Sequence, residues 1–306
     1  MIAVEIRSGT GRDDPSPAQR AGCRIVIAAP HRPEHVLSRF RDSAEGLSVT
    51  AGPANVIMQL SWPGVGYGVM ESRVHSGALF RHPIKRTRTT FTYLAVVIFG
   101  SDADRASYRA EVDRQHRQVF SDRDTASPVK YHAMDPHLQL WVAMCLYVGF
   151  EDTHELLRGR MSDEQKELFY VGSEKLGTTL QVRPGMWPAT RAEFETRWIE
   201  MCQKILTTDA TRGYLRSIVD MDFVSTSPLL GPLRRVQRFL TAGYLAPVFR
   251  EAMQIEWSAR DQRSFDRTLA VLARVERAIP LPLAQLPYRM LVWDLRIRHR
   301  LGRSAV

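Results

Sequence analysis

The sequence predicts an all-α fold, because helical signals recur along most of its length and strand patterns are rare. Residues that cap helix N-termini precede segments whose apolar positions repeat with helical spacing. Prolines stand at first-turn positions of several such segments, where the missing N–H costs nothing. Ser162 with Gln165, and Thr190 with Glu193, have the spacing of a capping box. We therefore expect about ten helices.

The domain organisation follows from composition. Residues 1–20 contain GTGRDDPSPAQR, a polar stretch that has little apolar surface to bury, so we predict a disordered or loosely attached arm. The remainder, residues 21–306, shows no internal repeat and no convincing linker. We therefore predict one helical domain over 21–306.

The first part of the chain contains two predicted helices, separated by two other apolar segments. Pro33 can begin the first helix, which runs to about Glu45. Residues 55–61 form an apolar run that stops at Trp62-Pro63-Gly64, and residues 65–75 form a further segment that ends in a Ser-Gly turn. Pro83 can begin the second helix, which runs to Phe99 and ends on Gly100. Its apolar half is dense enough to predict burial on all sides.

Capping residues mark most of the later helices. Ser101 or Asp102 can cap a helix that runs to about Phe120, and Asp135 can cap one that ends at Gly149. Trp141 of that helix is predicted to lie in the core. The remaining helical patterns cover residues 162–176, 190–206, 208–220, 231–254, 259–278 and 285–300.

The chain is basic, with a formal net charge of +9. Such a charge can favour nucleic acid or an anionic surface. It is spread along the chain, with local concentrations at Arg81–Arg88 and Arg296–Arg303, and no recognised nucleic-acid motif accompanies it. We therefore predict no nucleic-acid partner.

Cysteine usage and hydropathy indicate the compartment. Cys23, Cys145 and Cys202 are widely spaced and form no CxxC pair, which argues against a disulfide framework and a structural zinc site. No signal peptide is recognised at the start, and the longest apolar run, Phe91–Phe99, is too short to span a bilayer. We predict a cytoplasmic protein without a membrane span.

Four segments, in order, resemble one known family. They are GPANVIMQLSWPGVGYGV (52–69), HPIKRTRTTFTYLAVVIFG (82–100), VDRQHRQVF (112–120) and KYHAMDPHLQLWV (130–142). The resemblance is to the family that groups bacterial rubber oxygenases (latex-clearing proteins) with the fungal oxygenase of mycophenolic acid biosynthesis. It covers roughly residues 45–260.

The resemblance implies a fold, a cofactor and a reaction class. The expected fold is helical, with a globin-like core that holds a non-covalent b-type haem. The expected partners are O₂ and a hydrophobic small molecule, such as an isoprenoid or another specialised metabolite. Because members differ in substrate, the resemblance defines the cofactor better than the substrate. It leaves the reaction outcome and the oligomeric state open.

His116 is the predicted iron ligand. On the predicted helix it shares a face with Val112, Val119 and Phe120, which places the imidazole on an apolar stripe. Such a histidine is more often a hydrogen-bonded core residue than a ligand. The resemblance reverses this preference, because His116 matches the family's proximal haem ligand.

Arg86 and Thr90 are the predicted distal residues. Being four apart, they share one face of the helix that begins at Pro83. The resemblance places their counterparts beside the open haem face, where they can steer bound oxygen. The rubber oxygenases have a lysine just before that threonine, but this chain has Thr89. Rubber itself is therefore a doubtful substrate.

Other site assignments are weaker. Glu71, fifteen residues before Arg86, is the nearest counterpart of the family's glutamate base, although a solvent-exposed role is the alternative. His75 and His82 lie nearby and are equally consistent with surface positions. Arginine suits carboxylates, so three arginines are candidate partners of the haem propionates: Arg81, Arg88 and Arg183.

Three alternatives stay open. Glu151 and His154 have the i, i+3 spacing of one ligand pair in a helical-bundle non-haem iron oxidase, but a second pair is missing. The domain could instead bind haem without catalysis, or serve as a helical interaction module without cofactor. The sequence contains no GxSxG, Walker A or GxGxxG motif, so those enzyme classes are not indicated.

Overall fold

The computed structural model describes residues 22–25, 27, 39–74, 80–222 and 230–304. Within these ranges the regular structure is helical, apart from one isolated antiparallel bridge between Phe120 and His132. The predicted all-α class is therefore confirmed. The predicted arm, residues 1–20, lies outside the described residues. None of the helices in the described ranges is long and apolar enough to cross a membrane.

Two short 3₁₀ helices, Phe40–Ser43 and Gly46–Ala51, precede the first long segments. The helices that follow in the first half are α1 (Gly52–Leu60), α2 (Pro63–Met70), α3 (Pro83–Phe99), α4 (Asp102–His116) and α5 (Pro136–Arg158). Those of the second half are α6 (Asp163–Tyr170), α7 (Lys175–Thr178), α8 (Arg191–Cys202), α9 (Asp209–Val219), α10 (Gly231–Gly243), α11 (Pro247–Ala252), α12 (Ala259–Ala278), α13 (Leu281–Ala284) and α14 (Leu286–Arg300).

Several predicted boundaries match the structure. Helix α3 begins at Pro83 and ends before Gly100, and its stretch from Thr92 to Val97 is buried throughout. Helix α4 begins with a capping box in which Ser101 and Asp104 exchange hydrogen bonds. The Asp135 side chain caps α5 by accepting a hydrogen bond from the N–H of His137 at 2.8 Å.

Other boundaries were predicted wrongly. The described end of the segment predicted at 33–45 is 3₁₀ rather than α-helical. Residues 231–254 form two helices, because Pro247 cannot continue the first and begins the second instead. Short segments such as α7 and α13 bring the number of helices above the ten expected.

Helix α5 lies at the centre of the core. Trp141 is fully buried, stacks on Trp198 with ring centroids 5.2 Å apart, and donates its indole N–H to the carbonyl of Gln59 at 2.9 Å. This confirms the prediction that Trp141 is a core residue. Helices α1, α7 and α12 pack against α5, so the helix connects both halves of the chain.

Gly149 does not end α5 as the sequence predicted. A Cβ atom at this position would lie 2.2 Å from Nδ2 of Asn55, and the same Nδ2 donates to the carbonyl of Cys145 at 2.7 Å. The glycine therefore permits close approach of α1, and α5 continues to Arg158.

A buried ion cluster holds the segment around Arg24 against α5 and α8. Glu151 is paired with both Arg24 and Arg191. Burial opposes ionisation of Glu151, but the two arginine charges outweigh it and hold the pKa of this carboxyl at about 2. The neighbouring Asp152 also contacts Arg24, at 3.2 Å, yet burial and the adjacent carboxylates raise its pKa to about 7.

Helices α3 and α4 form the frame of the predicted site. The buried Tyr108 of α4 donates its hydroxyl proton to the carbonyl of Thr89 in α3 at 2.8 Å. Helix α14 packs along α3, where the Tyr288 ring faces that of Phe99, and it also contacts α4 through the pairs Arg296–Asp104 and His299–Glu111. These contacts fix α3 relative to the end of α4, where His116 lies.

Candidate functional site

His116 is the last residue of α4, and its side chain is half-buried. The helix ends here rather than at Phe120, so Val119 and Phe120 do not extend the predicted apolar stripe. Val112 is buried as predicted, but Phe120 lies in the loop and is 42% exposed. His116 therefore lies at the edge of the core.

The His116 ring is oriented by a hydrogen-bonded chain of three residues. Its Nδ1 atom lies 2.9 Å from Oε1 of Gln181, and Nε2 of Gln181 donates to Oδ1 of Asp113 at 2.5 Å. Because the Asp113 carboxylate takes the amide N–H, the Gln181 oxygen faces His116 and accepts its Nδ1 proton. In that tautomer Nε2 carries a lone pair, so Nε2 is the atom that can bind a metal.

The surroundings favour a neutral His116. Burial lowers the pKa of this imidazole below its ordinary value, and the positive charge of Arg86 lowers it further, although the hydrogen bond with Gln181 acts in the opposite direction. A neutral imidazole is the form that ligates iron. The protonation state thus matches the predicted role.

Arg86 lies within electrostatic reach of His116, from the first turn of α3. Its side chain is exposed, and its charge also counters the rise in pKa that burial produces at Tyr108 and Tyr214. The charge of Arg86 thus acts on residues of both α4 and α9. Its role beside a bound ligand stays a prediction.

The two threonines of α3 have their hydroxyls bound to the helix backbone. Thr90 is half-buried and its Oγ1 donates to the carbonyl of Arg86 at 3.1 Å, while the buried Thr89 donates to the carbonyl of Lys85 at 2.9 Å. Thr90 shares the helix face of Arg86, since the two are four residues apart. Its hydroxyl must rotate away from the backbone carbonyl to act on a ligand.

Glu71 holds the loop that follows His116. Its Oε1 accepts a hydrogen bond from the N–H of Ala126 at 2.7 Å, and its Oε2 accepts the hydroxyl proton of Tyr131 at 2.9 Å. Both carboxylate oxygens are thus engaged in structural contacts. A role for Glu71 as a base stays a prediction.

The loop after His116 folds back as a short hairpin. The N–H of Ala133 donates to the carbonyl of Val119 at 2.8 Å, and the ring of Phe120 stacks on that of His132 with centroids 5.9 Å apart. The buried Tyr131 packs on α2, where a Cβ atom added to Gly68 would lie 3.4 Å from its ring. Helix α2 therefore forms a further wall of the region around His116.

The three arginines predicted to meet propionates lie near the ends of these elements. Arg81 and Arg183 are exposed and Arg88 is half-buried, and Arg183 follows Gln181 by two residues. Their assignment stays a prediction. His82 is the exposed N-cap residue of α3, whereas His75 lies outside the described residues.

The alternative iron ligands are engaged elsewhere. Glu151 is neutralised by Arg24 and Arg191, and Nδ1 of His154 lies 2.9 Å from Oε1 of Glu45. Among the described residues no group of three His, Cys, Asp or Glu side chains is arranged to hold a metal ion. Glu151 thus belongs to a buried ion cluster, whereas His154 faces Glu45.

A small cavity lies between α1 and α5. Its lining includes Cys23, Asn55, Met58, Asp152 and Tyr244. None of the predicted site residues borders it. The three cysteines are free and buried.

Gln181 and Asp113 were missed by the sequence reasoning. Asp113 precedes His116 by three residues, so helical spacing alone placed both side chains on one face. Gln181 carried no such signal, because it belongs to the segment after α7 and meets His116 only through tertiary packing.

Comparison with known families places these residues in context. The family model described as the catalytic domain of the ER-bound oxygenase mpaB/B' and rubber oxygenase matches residues 41–274. This match includes every predicted site residue. The chain belongs to the mpaB/rubber oxygenase family. The resemblance inferred from the four sequence segments is thereby confirmed.

Two mycobacterial relatives are similar over nearly their whole length. They are the uncharacterized proteins Mb2261 of Mycobacterium bovis and Rv2237 of Mycobacterium tuberculosis. Each is 48% identical to this chain over 257 residues, which is 83% of this chain and 98% of the relative. No solved structure matches the chain.

Proposed function

We propose that this member of the mpaB/rubber oxygenase family is a haem b-dependent oxygenase that acts on a hydrophobic small molecule. The observation that carries the proposal is the chain from His116 to Gln181 and Asp113. It presents a neutral imidazole with its Nε2 atom available, at the position where the family has its proximal ligand. Family membership supports oxygenase chemistry, and the local geometry supports the haem ligand.

The residues around His116 fit a haem iron in three respects. The ligand is a nitrogen donor fixed at the end of a helix, and its second nitrogen is bound to a carboxamide. Its pKa is held below the ordinary value. Arginines lie at the beginning of α3 and after Gln181, where they can meet carboxylates.

Each residue of the chain has a distinct part in the proposed mechanism. Bound haem would supply the binding and activation of O₂. His116 would hold the iron through Nε2, while Oε1 of Gln181 accepts a hydrogen bond from Nδ1–H and keeps the ring in one orientation. Arg86 would place a positive charge close to the reacting region, where negative charge develops on reduced oxygen.

Thr90 would act as a hydrogen-bond donor once its hydroxyl leaves the Arg86 carbonyl. Thr89 stands where the rubber oxygenases have a lysine; threonine has no amine that could bind iron, and its hydroxyl donates to the carbonyl of Lys85. We therefore propose that O₂ would have access to bound haem on this side, and that the substrate is smaller than a polymer. We also propose a cytoplasmic location, in keeping with three free, buried thiols.

The proposal is tested by reconstituting purified protein with hemin and recording visible spectra before and after dithionite. We expect a sharp Soret band that shifts on reduction, with one haem per chain in the pyridine haemochrome assay. His116→Ala should lose stoichiometric haem. The matched control is His137→Ala, which removes an exposed histidine from the first turn of α5.

Full haem content and an unchanged spectrum in His116→Ala would refute the ligand assignment. Loss of haem in both variants would indicate non-specific destabilisation, which circular dichroism would detect. If the wild-type protein fails to bind hemin at all, the cofactor assignment is wrong. Consumption of O₂ in the presence of an alkene then tests oxygenase activity separately from cofactor binding.

A further inference from the structure

The outer face of α14 carries large apolar side chains that no described part of the chain covers. Leu286 is 48% exposed, Met290 57% and Trp293 65%. Their spacing of i, i+4 and i+7 places them in one stripe along the helix. Leu283 before the helix and Leu301 after it are also largely exposed, which lengthens this stripe at both ends. We call these five residues the outer stripe.

The outer stripe is not the surface that attaches α14 to the protein. The opposite face of the helix buries Tyr288, Val292 and Leu295, and it packs along α3. By helical spacing, those three residues point about half a turn away from Met290 and Trp293. The helix therefore has two apolar faces, and only the inner one packs on a described part of the protein.

Arginines flank the outer stripe. Residues 286–304 contain five arginines and one acidic residue, Asp294. Arg300 projects beside the stripe by helical spacing, whereas the guanidinium of Arg289 lies over the Phe99 ring, 5.0 Å from its centroid. Arg300 and the following Arg303 are exposed and form no ion pair within the described ranges. Two of the five arginines are compensated, because Arg298 is paired with Asp294 at 2.7 Å and Arg296 with Asp104 at 2.8 Å.

We propose that α14 docks the protein on the surface of an anionic membrane. The outer stripe would enter the interfacial region, and the arginines would lie at the level of the phosphate groups. A helix that combines an exposed tryptophan, aliphatic residues and a cationic border has the composition of interfacial membrane helices. Tryptophan favours this boundary because one edge of its ring is polar and the rest apolar.

Charge distinguishes a lipid surface from a second copy of this chain. A symmetric contact through the outer stripe would bring the arginines of one copy close to those of the other, and the stripe offers no row of acidic residues to pair with them. An anionic bilayer supplies both apolar and negative groups to the same surface. The proposal concerns a helix beyond residues 41–274, and it does not depend on haem.

The test is co-sedimentation of the full-length protein with vesicles. We expect binding to mixed phosphatidylcholine–phosphatidylserine vesicles, little binding to phosphatidylcholine alone, and release by high salt. Arg300→Gln combined with Arg303→Gln should weaken binding on the order of tenfold or more, because each arginine contributes about fivefold near an anionic surface.

The apolar contribution is tested with a matched pair of double variants. Met290→Gln with Trp293→Gln should weaken vesicle binding by about tenfold or more. Val271→Gln with Val275→Gln changes two valines on α12 that are 55% and 48% exposed, and it should leave binding unchanged. All four positions are exposed, so the variants should keep the wild-type helicity in circular dichroism.

Three outcomes would overturn the proposal. The first is wild-type protein that does not bind anionic vesicles, or binds neutral ones equally well. The second is unchanged binding by the Met290/Trp293 variant, which would show that the protein binds vesicles by non-specific charge attraction alone. The third is a wild-type dimer without vesicle affinity that becomes monomeric in the Met290/Trp293 variant, which would identify the outer stripe as a contact between copies.

Discussion

Nδ1 of His116 lies 2.9 Å from Oε1 of Gln181, although 65 residues separate the two in the chain. This contact joins the end of α4 to the segment after α7. It places the imidazole proton on Nδ1, which donates to the carboxamide oxygen, and leaves Nε2 as the nitrogen that can bind a metal. The orientation of the proposed ligand therefore depends on a residue outside the sequence segments that indicated the family.

Replacing Gln181 with Leu should weaken haem binding without removing the ligand. The variant loses the acceptor that fixes the His116 ring, and loss of such a partner costs about 10- to 100-fold in metal affinity. Hemin titration followed at the Soret band measures the change. The control Gln118→Leu changes an exposed glutamine that donates to the carbonyl of Arg114. Equal affinity of Gln181→Leu and wild type would contradict the positioning role.

Replacing Arg86 with Ala should raise the pKa of His116 in the haem-free protein. The positive charge of Arg86 disfavours the imidazolium, so its removal makes protonation easier. NMR titration of the imidazole signals measures the shift. Arg263→Ala, an exposed arginine on α12, is the control and should leave the signal unchanged. An unaltered titration in Arg86→Ala would show that the two side chains do not interact.

Ionisation of Asp152 should lower the free energy of unfolding as the pH rises from about 4 to about 7. Burial raises the folded-state pKa of this group to about 7, whereas an unfolded aspartate titrates near 4. Between these values the folded protein retains a proton that the unfolded chain releases, so the Asp152 contribution to stability declines with pH. The full effect is at most on the order of 4 kcal/mol.

Asp152→Asn isolates this effect, because the amide does not titrate. The difference in the free energy of unfolding, wild type minus Asp152→Asn, should decrease between pH values of about 4 and 7 and then level off. Urea unfolding at a series of pH values measures it. A difference that is constant with pH would show that Asp152 titrates normally in the folded protein.

Gly149→Ala should destabilise the protein by about 1–3 kcal/mol, because the new methyl group overlaps Asn55. Gly213→Ala is the matched control, since Gly213 is exposed within α9 and no atom lies within 4 Å of its added Cβ. That change should stabilise by up to about 1 kcal/mol. Chemical denaturation compares the two, and equal effects would contradict the close contact between α1 and α5.

Local signals in the sequence explain which helices could be predicted. Pro83 and Gly100 bound α3, and Ser101 caps α4, because these residues act on their immediate neighbours. Gly149 was wrongly predicted to end α5, because the reason for a glycine at this position is not local. Its role depends on Asn55, which is far away in the chain, so no local pattern distinguished close packing from a helix end.

The sequence by itself determined the helical class and most helix starts through caps and periodicity. It determined the family through four segments that occur in the family's order. It also indicated His116 as an iron ligand and Arg86 and Thr90 as distal residues, and these roles stay predictions. Only the tertiary structure decided that α4 ends at His116, that Gln181 binds Nδ1, and that Glu71 is held by Tyr131 and Ala126. Helix signals act over a few residues, whereas the orientation of a side chain depends on partners brought together by packing of the whole core.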